Sequence, residues 1–121
     1  TIVLSTRVEL TLNWGVSMKP MVFHILLILM EGESHGYGIV KALEERLSDE
    51  HIEPGNLYRT LRTLMADGLI EESDRRPDPT MDDQRRRYFG ITESGVQAGR
   101  DEAARMEGML ALAKTHKLLS Q

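Results

Sequence analysis

Residues Glu53–Ile70 read EPGNLYRTLRTLMADGLI. Leu57, Leu61 and Leu64 recur at the spacing that places them on one helical face. Pro54 stands where a first turn tolerates a residue without an N–H. Gly68 stands where a helix closes with a residue in the left-handed region. The stretch is therefore an amphipathic helix with its leucines turned inward. Its outer face carries Asn56, Arg59, Thr60 and Thr63, with Tyr58 and Arg62 beside them. Arg59 has the donor fork that matches guanine, while Asn56 or Thr60 suits adenine, a thymine methyl or a phosphate. Arg62 is placed for phosphate. Tyr58 suits either role, with its ring against the domain. A core helix with a solvated polar face would carry the same leucines, so the neighbouring segments decide what this face does.

Upstream, SHGYGIVKALEERLSDEH (Ser34 to His51) reads as a helix with Ile39, Val40, Leu43 and Leu47 inward and Lys41, Glu44, Glu45 and Arg46 outward. Before it, Ser17 is a candidate N-cap with Pro20 in the first turn. The run to Met30 is apolar nearly all round, which predicts a buried helix of about three turns. Residues 1–16 form an N-terminal extension, either an arm or a short helix. Downstream, LIEES predicts a strand, DRRPDPTMDDQ an exposed loop, and RRRYFGI a second strand. Thr92 then caps a last helix with Glu93 in its first turn, where the macrodipole favours an acid. That helix runs to about Leu118. Val96, Ala103, Met106, Leu110 and Ala113 follow its apolar spacing, and Met109 and Leu112 widen the stripe. No later element in the sequence covers this stripe, so a partner chain is expected there.

The 121 residues suit one modest core, and their net charge of −4 gives no global basic bias. A local basic patch remains compatible with that balance. No cysteine is present, which excludes disulfides, thiolate metal sites and cysteine nucleophiles. The longest apolar run, Met21 to Met30, is about half a membrane span. With no recognisable signal peptide, the chain reads as cytoplasmic.

Helix, helix, break, helix, strand, charged loop, strand and long helix is the order of a winged helix-turn-helix. The fold class is mainly α with a small β-hairpin, residues 17–91 forming the winged unit and 92–121 a dimerisation helix. In that arrangement the helix after the turn enters the DNA major groove. The wing strengthens the reading. Arg85, Arg86 and Arg87 stack like charges on one strand, which is unfavourable without a counter-charge. Alternation sends Arg85 and Arg87 to one face and Arg86 to the other. DNA phosphate is a natural counter-charge, and Asp74, Asp78, Asp82 and Asp83 are competing ones.

Three segments, HGYGIVKAL, PGNLYRTLRTLMADGLIE and RRRYFGITESG, occur here in order. Together they resemble the signature blocks of the PadR-like winged-helix transcriptional regulators over about Pro20 to Gly99. The resemblance implies a homodimer that binds operator DNA, usually as a repressor, and dimerises through a long C-terminal helix. Tyr58 corresponds to the family's tyrosine in the recognition helix, Pro54 and Gly55 to its entry, and Arg87, Tyr88 and Thr92 to the wing-to-helix junction. Glu53 replaces a more usual small cap. Phe89-Gly90-Ile91 replaces a more usual Tyr-x-Leu, so a kink at Gly90 is expected. The single terminal helix matches the short-tailed branch.

Other chemistry is poorly supported. His24, His35, His51 and His116 lack ligand spacing on a helix, so no metal or other cofactor is expected. Gly36 and Gly38 lack the strand and lysine of a phosphate loop and suit close helix packing instead. No nucleophile arrangement is visible, and no enzyme is expected. Methionines on the first and last helices could adapt to an apolar or aromatic effector near Trp14, Met18 and Met21, although core filling is the simpler reading. The expected function is a dimeric DNA-binding regulator. The alternative is a winged-helix protein-interaction module, since the same fold serves both.

Overall fold

A computed structural model of the chain describes residues 18–47, 52–74 and 87–120. Residues 1–16, Ser17 and the tip of the wing lie outside them, so the expectations for the extension and for a Ser17 cap concern undescribed residues. The elements are α1 (Pro20–Met30), β1 (Ser34–His35), α2 (Gly36–Arg46), α3 (Pro54–Ala66), β2 (Ile70–Ser73), β3 (Tyr88–Ile91) and α4 (Glu93–Thr115). The structure is mainly helical with a small antiparallel sheet, and the predicted order of helices and wing strands is present.

Proline explains two of the starts. Pro20 and Pro54 each open a helix, where the missing N–H costs nothing. Lys19 is the cap residue of α1, with no side-chain cap bond, so the helix begins later than a Ser17 cap would have it. Glu53 likewise contributes no side-chain cap to α3. The end of α3 follows the sequence signal. Gly68 takes φ 79°, its N–H donates to the Met65 carbonyl at 3.0 Å, and the Leu69 N–H donates to Leu64 at 2.9 Å. That pair of bonds is the Schellman closure.

The sheet has three strands in the order β1-β3-β2, where the sequence reading had two. Ser34 and His35 had been assigned to the helix that follows. They are extended instead, and pair with Phe89 and Tyr88. The physical reason is the cap. His35 sits at φ −93°, ψ 169°, and its Nδ1 accepts from the Gly38 N–H at 3.0 Å. A capping residue is non-helical, and an extended pair beside β3 is taken into the ladder. The β2–β3 register runs from Ile70↔Ile91 to Ser73↔Tyr88 without a break, so pairing continues through Gly90. The expected kink there does not interrupt the strand.

The core joins all three layers of the winged unit. Ile25, Leu26, Ile28 and Leu29 of α1 meet Ile39 and Leu43 of α2, Leu57, Leu61 and Leu64 of α3, and Ile70 and Phe89 of the sheet. Helix α1 is not buried all round as its composition had implied: Leu27 and Met30 stand open at 38% and 57% exposure. Polar contacts fix the edges. Arg46 donates to Glu31 at 2.6 Å, tying the end of α2 to the end of α1.

The wing passes to α4 through one residue. The Thr92 hydroxyl donates to the Gly68 carbonyl at 2.6 Å and accepts from the Gly95 N–H at 3.0 Å. The same side chain thus caps α4 and closes against the end of α3. Gly95 permits the approach, because a Cβ there would stand 2.1 Å from the Leu69 carbonyl oxygen. Helix α4 ends at Thr115, three residues before the expected Leu118. Lys117 adopts φ 63°, and the Leu118 N–H returns to Ala113 at 2.8 Å. A Schellman closure without glycine gave no sequence signal.

Candidate nucleic-acid interface

Helix α3 presents the predicted face. Leu57, Leu61 and Leu64 are 0%, 1% and 4% exposed. Asn56, Arg59, Arg62 and Thr63 are exposed, and Thr60 is half-buried. The polar groups are already arranged. Arg59 Nη1 donates to Asn56 Oδ1 at 3.1 Å, which steadies a guanidinium one turn into the helix. The Thr60 hydroxyl donates to the Asn56 carbonyl at 3.0 Å, and that of Thr63 donates to the Arg59 carbonyl at 3.2 Å. Their protons are therefore committed to the helix. Each threonine offers outward its methyl group and a hydroxyl oxygen that can still accept, which suits a thymine methyl better than a phosphate.

Tyr58 locks α3 to α2. Its hydroxyl rests against Gly36, where a Cβ would lie 2.1 Å from Oη, and the residue remains 42% exposed. A side chain at position 36 would push the phenol out. This is the close packing expected of the two glycines; at Gly38 a Cβ would meet Ser34 Oγ at 2.7 Å. His35, which the sequence reading gave no role beyond a structural histidine, caps α2 and sets its ring edge-on to Tyr88 at 5.2 Å. Helix α3, helix α2 and the central strand β3 thus meet around Tyr58, Gly36 and His35.

Arg87 is the described member of the wing arginines; Arg85 and Arg86 lie outside the described residues. Arg87 Nε donates to Glu72 Oε2 at 2.8 Å, and its guanidinium stands 5.8 Å from the centre of the Phe89 ring. Glu72 was not among the competing acids singled out from the sequence. It faces Phe89 across the ladder; Phe89 lies two residues along the chain from Arg87, and only the register reveals the pairing. The hydrogen bond from Arg87, reinforced by its charge, holds the Glu72 carboxyl below its ordinary range. The same bond raises Arg87, with a smaller electrostatic contribution from Tyr58. Arg87 is therefore held within the wing, between Glu72 and the Phe89 ring.

A profile of transcriptional regulators described as the PadR-like family matches residues 25–101, well over half of the chain. The chain belongs to the PadR-like family of transcriptional regulators. No match was found among curated protein sequences. Solved structures with the same fold include a PadR family regulator from hypervirulent Clostridium difficile. It is 19% identical, with 81% of this chain and 98% of that one covered and a TM-score of 0.65. A PadR-like regulator from Bacillus cereus is 21% identical, with coverages of 84% and 93% and a TM-score of 0.65. Bacillus subtilis PadR in complex with operator DNA is 25% identical over 69% of this chain and 46% of its own, with a TM-score of 0.55.

The expected dimerisation residues split into two groups. Val96 and Ala103 line an apolar groove of about 180 Å³ between α1 and α4, with Phe23, Leu27, Met30 and Gly99. Met106 and Ala113 are half-buried, whereas Met109 and Leu110 are open to solvent beyond the groove at 52% and 53%. Of the effector candidates, Met18 and Met21 pack against the core, and Trp14 lies outside the described residues. No group of acids and histidines able to hold a metal occurs among the described residues. No helix among them is long and apolar enough to cross a membrane.

Glu102 is the buried charged residue that the sequence reading missed. It lies on the α1-facing side of α4 at 7% exposure. It accepts from Arg105 Nε at 3.0 Å and from the Met18 N–H at 3.3 Å. A glutamate in a charged helix gives no signal of burial; the contact to Met18 spans most of the described chain.

Proposed function

We propose that this chain is a sequence-specific DNA-binding regulator. It acts in the cytoplasm as a homodimeric repressor on an inverted-repeat operator, and a small apolar or aromatic effector relieves the repression. The observation that carries this reading is the outer face of α3, where Asn56 and Arg59 are bonded to each other and exposed. Asn56, Tyr58, Arg59, Thr60, Arg62 and Thr63 form the reading surface. Arg85, Arg86 and Arg87 supply phosphate contacts from the wing. The operator complex of Bacillus subtilis PadR, which shares the fold, supports the DNA-binding reading.

Dimerisation uses α1 and α4, whose groove and exposed apolar residues suit a second copy. An effector reaching Met18 and Met21 would have to open the packing at the start of α1. No catalytic role is assigned to any residue.

Selection from random duplex DNA tests the reading. The expected result is an enriched inverted repeat with half-site centres about 10 bp, or a multiple, apart. On that sequence, Arg59→Ala weakens binding and relaxes the choice at one base position by roughly 1–3 kcal/mol. No enrichment at low salt would favour a protein-interaction module. An equal loss of affinity for every sequence would make Arg59 a phosphate contact.

A further inference from the structure

The wing carries an acid where DNA binding alone would favour none. We propose that Glu72 is an intramolecular competitor of DNA phosphate for Arg87, a counter-ion that DNA must displace, and so sets affinity and salt dependence. This rests on the DNA-binding reading above.

The sheet register makes the arrangement specific. Glu72 lies opposite Phe89, and Arg87 precedes Phe89 by two residues, so all three side chains share one face of the hairpin. Arg87 spreads over the Phe89 ring and donates to Glu72 at 2.8 Å. The pair is not sealed: the two side chains are 60% and 54% exposed, so water and a competing anion can reach both. A carboxylate and a phosphate oxygen make the same charge-assisted bond to a guanidinium. One replaces the other without rebuilding the site. The location also matters, because Tyr88, next to Arg87, pairs with His35, and the following Gly36 lies against the Tyr58 hydroxyl of α3. A phosphate held there would lie beside the recognition helix.

In the free chain, Glu72 neutralises Arg87. When DNA takes Arg87, the released carboxylate stands near the phosphates and retains a cation. One fewer counter-ion is then released than the arginine count implies. Glu71 provides an internal control. It is the adjacent carboxylate, exposed, and alternation turns it to the opposite face.

The test measures binding of the full chain to its selected duplex and to an unrelated duplex across a salt series. Wild type is compared with Glu72→Gln, Glu71→Gln, Arg87→Gln and the Glu72→Gln/Arg87→Gln double variant, and thermal melting confirms that each is folded. Glu72→Gln is expected to bind both duplexes about two- to fivefold more tightly, the scale of an exposed ion pair. Its salt slope is expected to steepen by about one unit. Glu71→Gln should shift affinity less, and the effect of Glu72→Gln should vanish when Arg87 is already glutamine. Equal effects of the two glutamate variants, weaker binding by Glu72→Gln, or an effect that survives in the double variant would each overturn the competitor. If wild type binds and Glu72→Gln is unchanged, only the competitor fails. If wild type binds no duplex, the DNA-binding reading fails and the competitor falls with it.

Discussion

Helices α3 and α4 are both amphipathic, but among the described residues only α3 has its apolar stripe covered. Leu57, Leu61 and Leu64 are at most 4% exposed, whereas Met109, Leu110 and Leu112 are 52%, 53% and 63% exposed. The difference lies in what surrounds them. Helix α3 is enclosed by α1, α2 and β2, and its polar face is the side left over. Among the described residues, helix α4 is anchored along its first half by Thr92, Gly95 and Glu102. Its second half projects with the apolar stripe uncovered. Similar spacing thus marks a core in one helix and an exposed apolar stripe in the other.

Paired truncations break or sharpen that contrast. Leu61→Ala removes a fully enclosed side chain and should cost about 2–5 kcal/mol of stability, the range for buried leucines. Leu112→Ala should change the stability of the monomer by less than about 0.5 kcal/mol. Urea denaturation at low protein concentration measures both. A large loss for Leu112 under those conditions would mean that α4 is covered within its own chain after all.

The next effect in size concerns association. Replacing Met109 and Leu110 together with aspartate places two charges in the uncovered stripe. If that stripe joins two copies, the dissociation constant should rise by about two orders of magnitude, on the order of 3 kcal/mol. Sedimentation over a concentration series reads this directly. A variant that sediments as wild type would remove the stripe from the interface and leave the α1–α4 groove as the remaining candidate.

The same contrast separates what was legible in the sequence from what was not. Local signals survived intact. Pro54, Gly68 and the three leucines define α3 because each acts within one or two turns of its own helix. Thr92 was legible as a cap for the same reason, but its second bond, to the Gly68 carbonyl, was not. Strand β1 was missed because two residues become a strand only when β3 lies beside them. The Arg87–Glu72 pair needed the hairpin register. Gly95 needed the approach of Leu69, and the early end of α4 needed a lysine in a conformation usually left to glycine. For the candidate interface, the outward residues of α3 followed from periodicity, while their mutual bonds and the seam around Tyr58 required the packed chain.

The smallest expected effect tests how firmly the covered half of α4 is held. Glu102 joins α4 to the start of α1 by accepting from the Met18 N–H, while Arg105 supplies the positive charge beside it. The hydrogen bond from Arg105 is the main reason its carboxyl sits below the ordinary value of 4.5, against the opposing effect of burial. A carboxyl lowered by folding stabilises the native state above its unfolded value. That contribution disappears as pH falls through the folded value. Glu102→Gln keeps the shape and an acceptor oxygen but loses the charge. It should therefore cost about 1 kcal/mol at neutral pH, the difference between a charge-assisted and a neutral hydrogen bond. The gap between wild type and variant should narrow as pH falls below about 4.5 and the wild-type carboxyl becomes protonated. Denaturant midpoints taken from pH 7 down to pH 3 follow both. No gap at pH 7 would show that the shape of Glu102, and not its charge, holds α1 to α4.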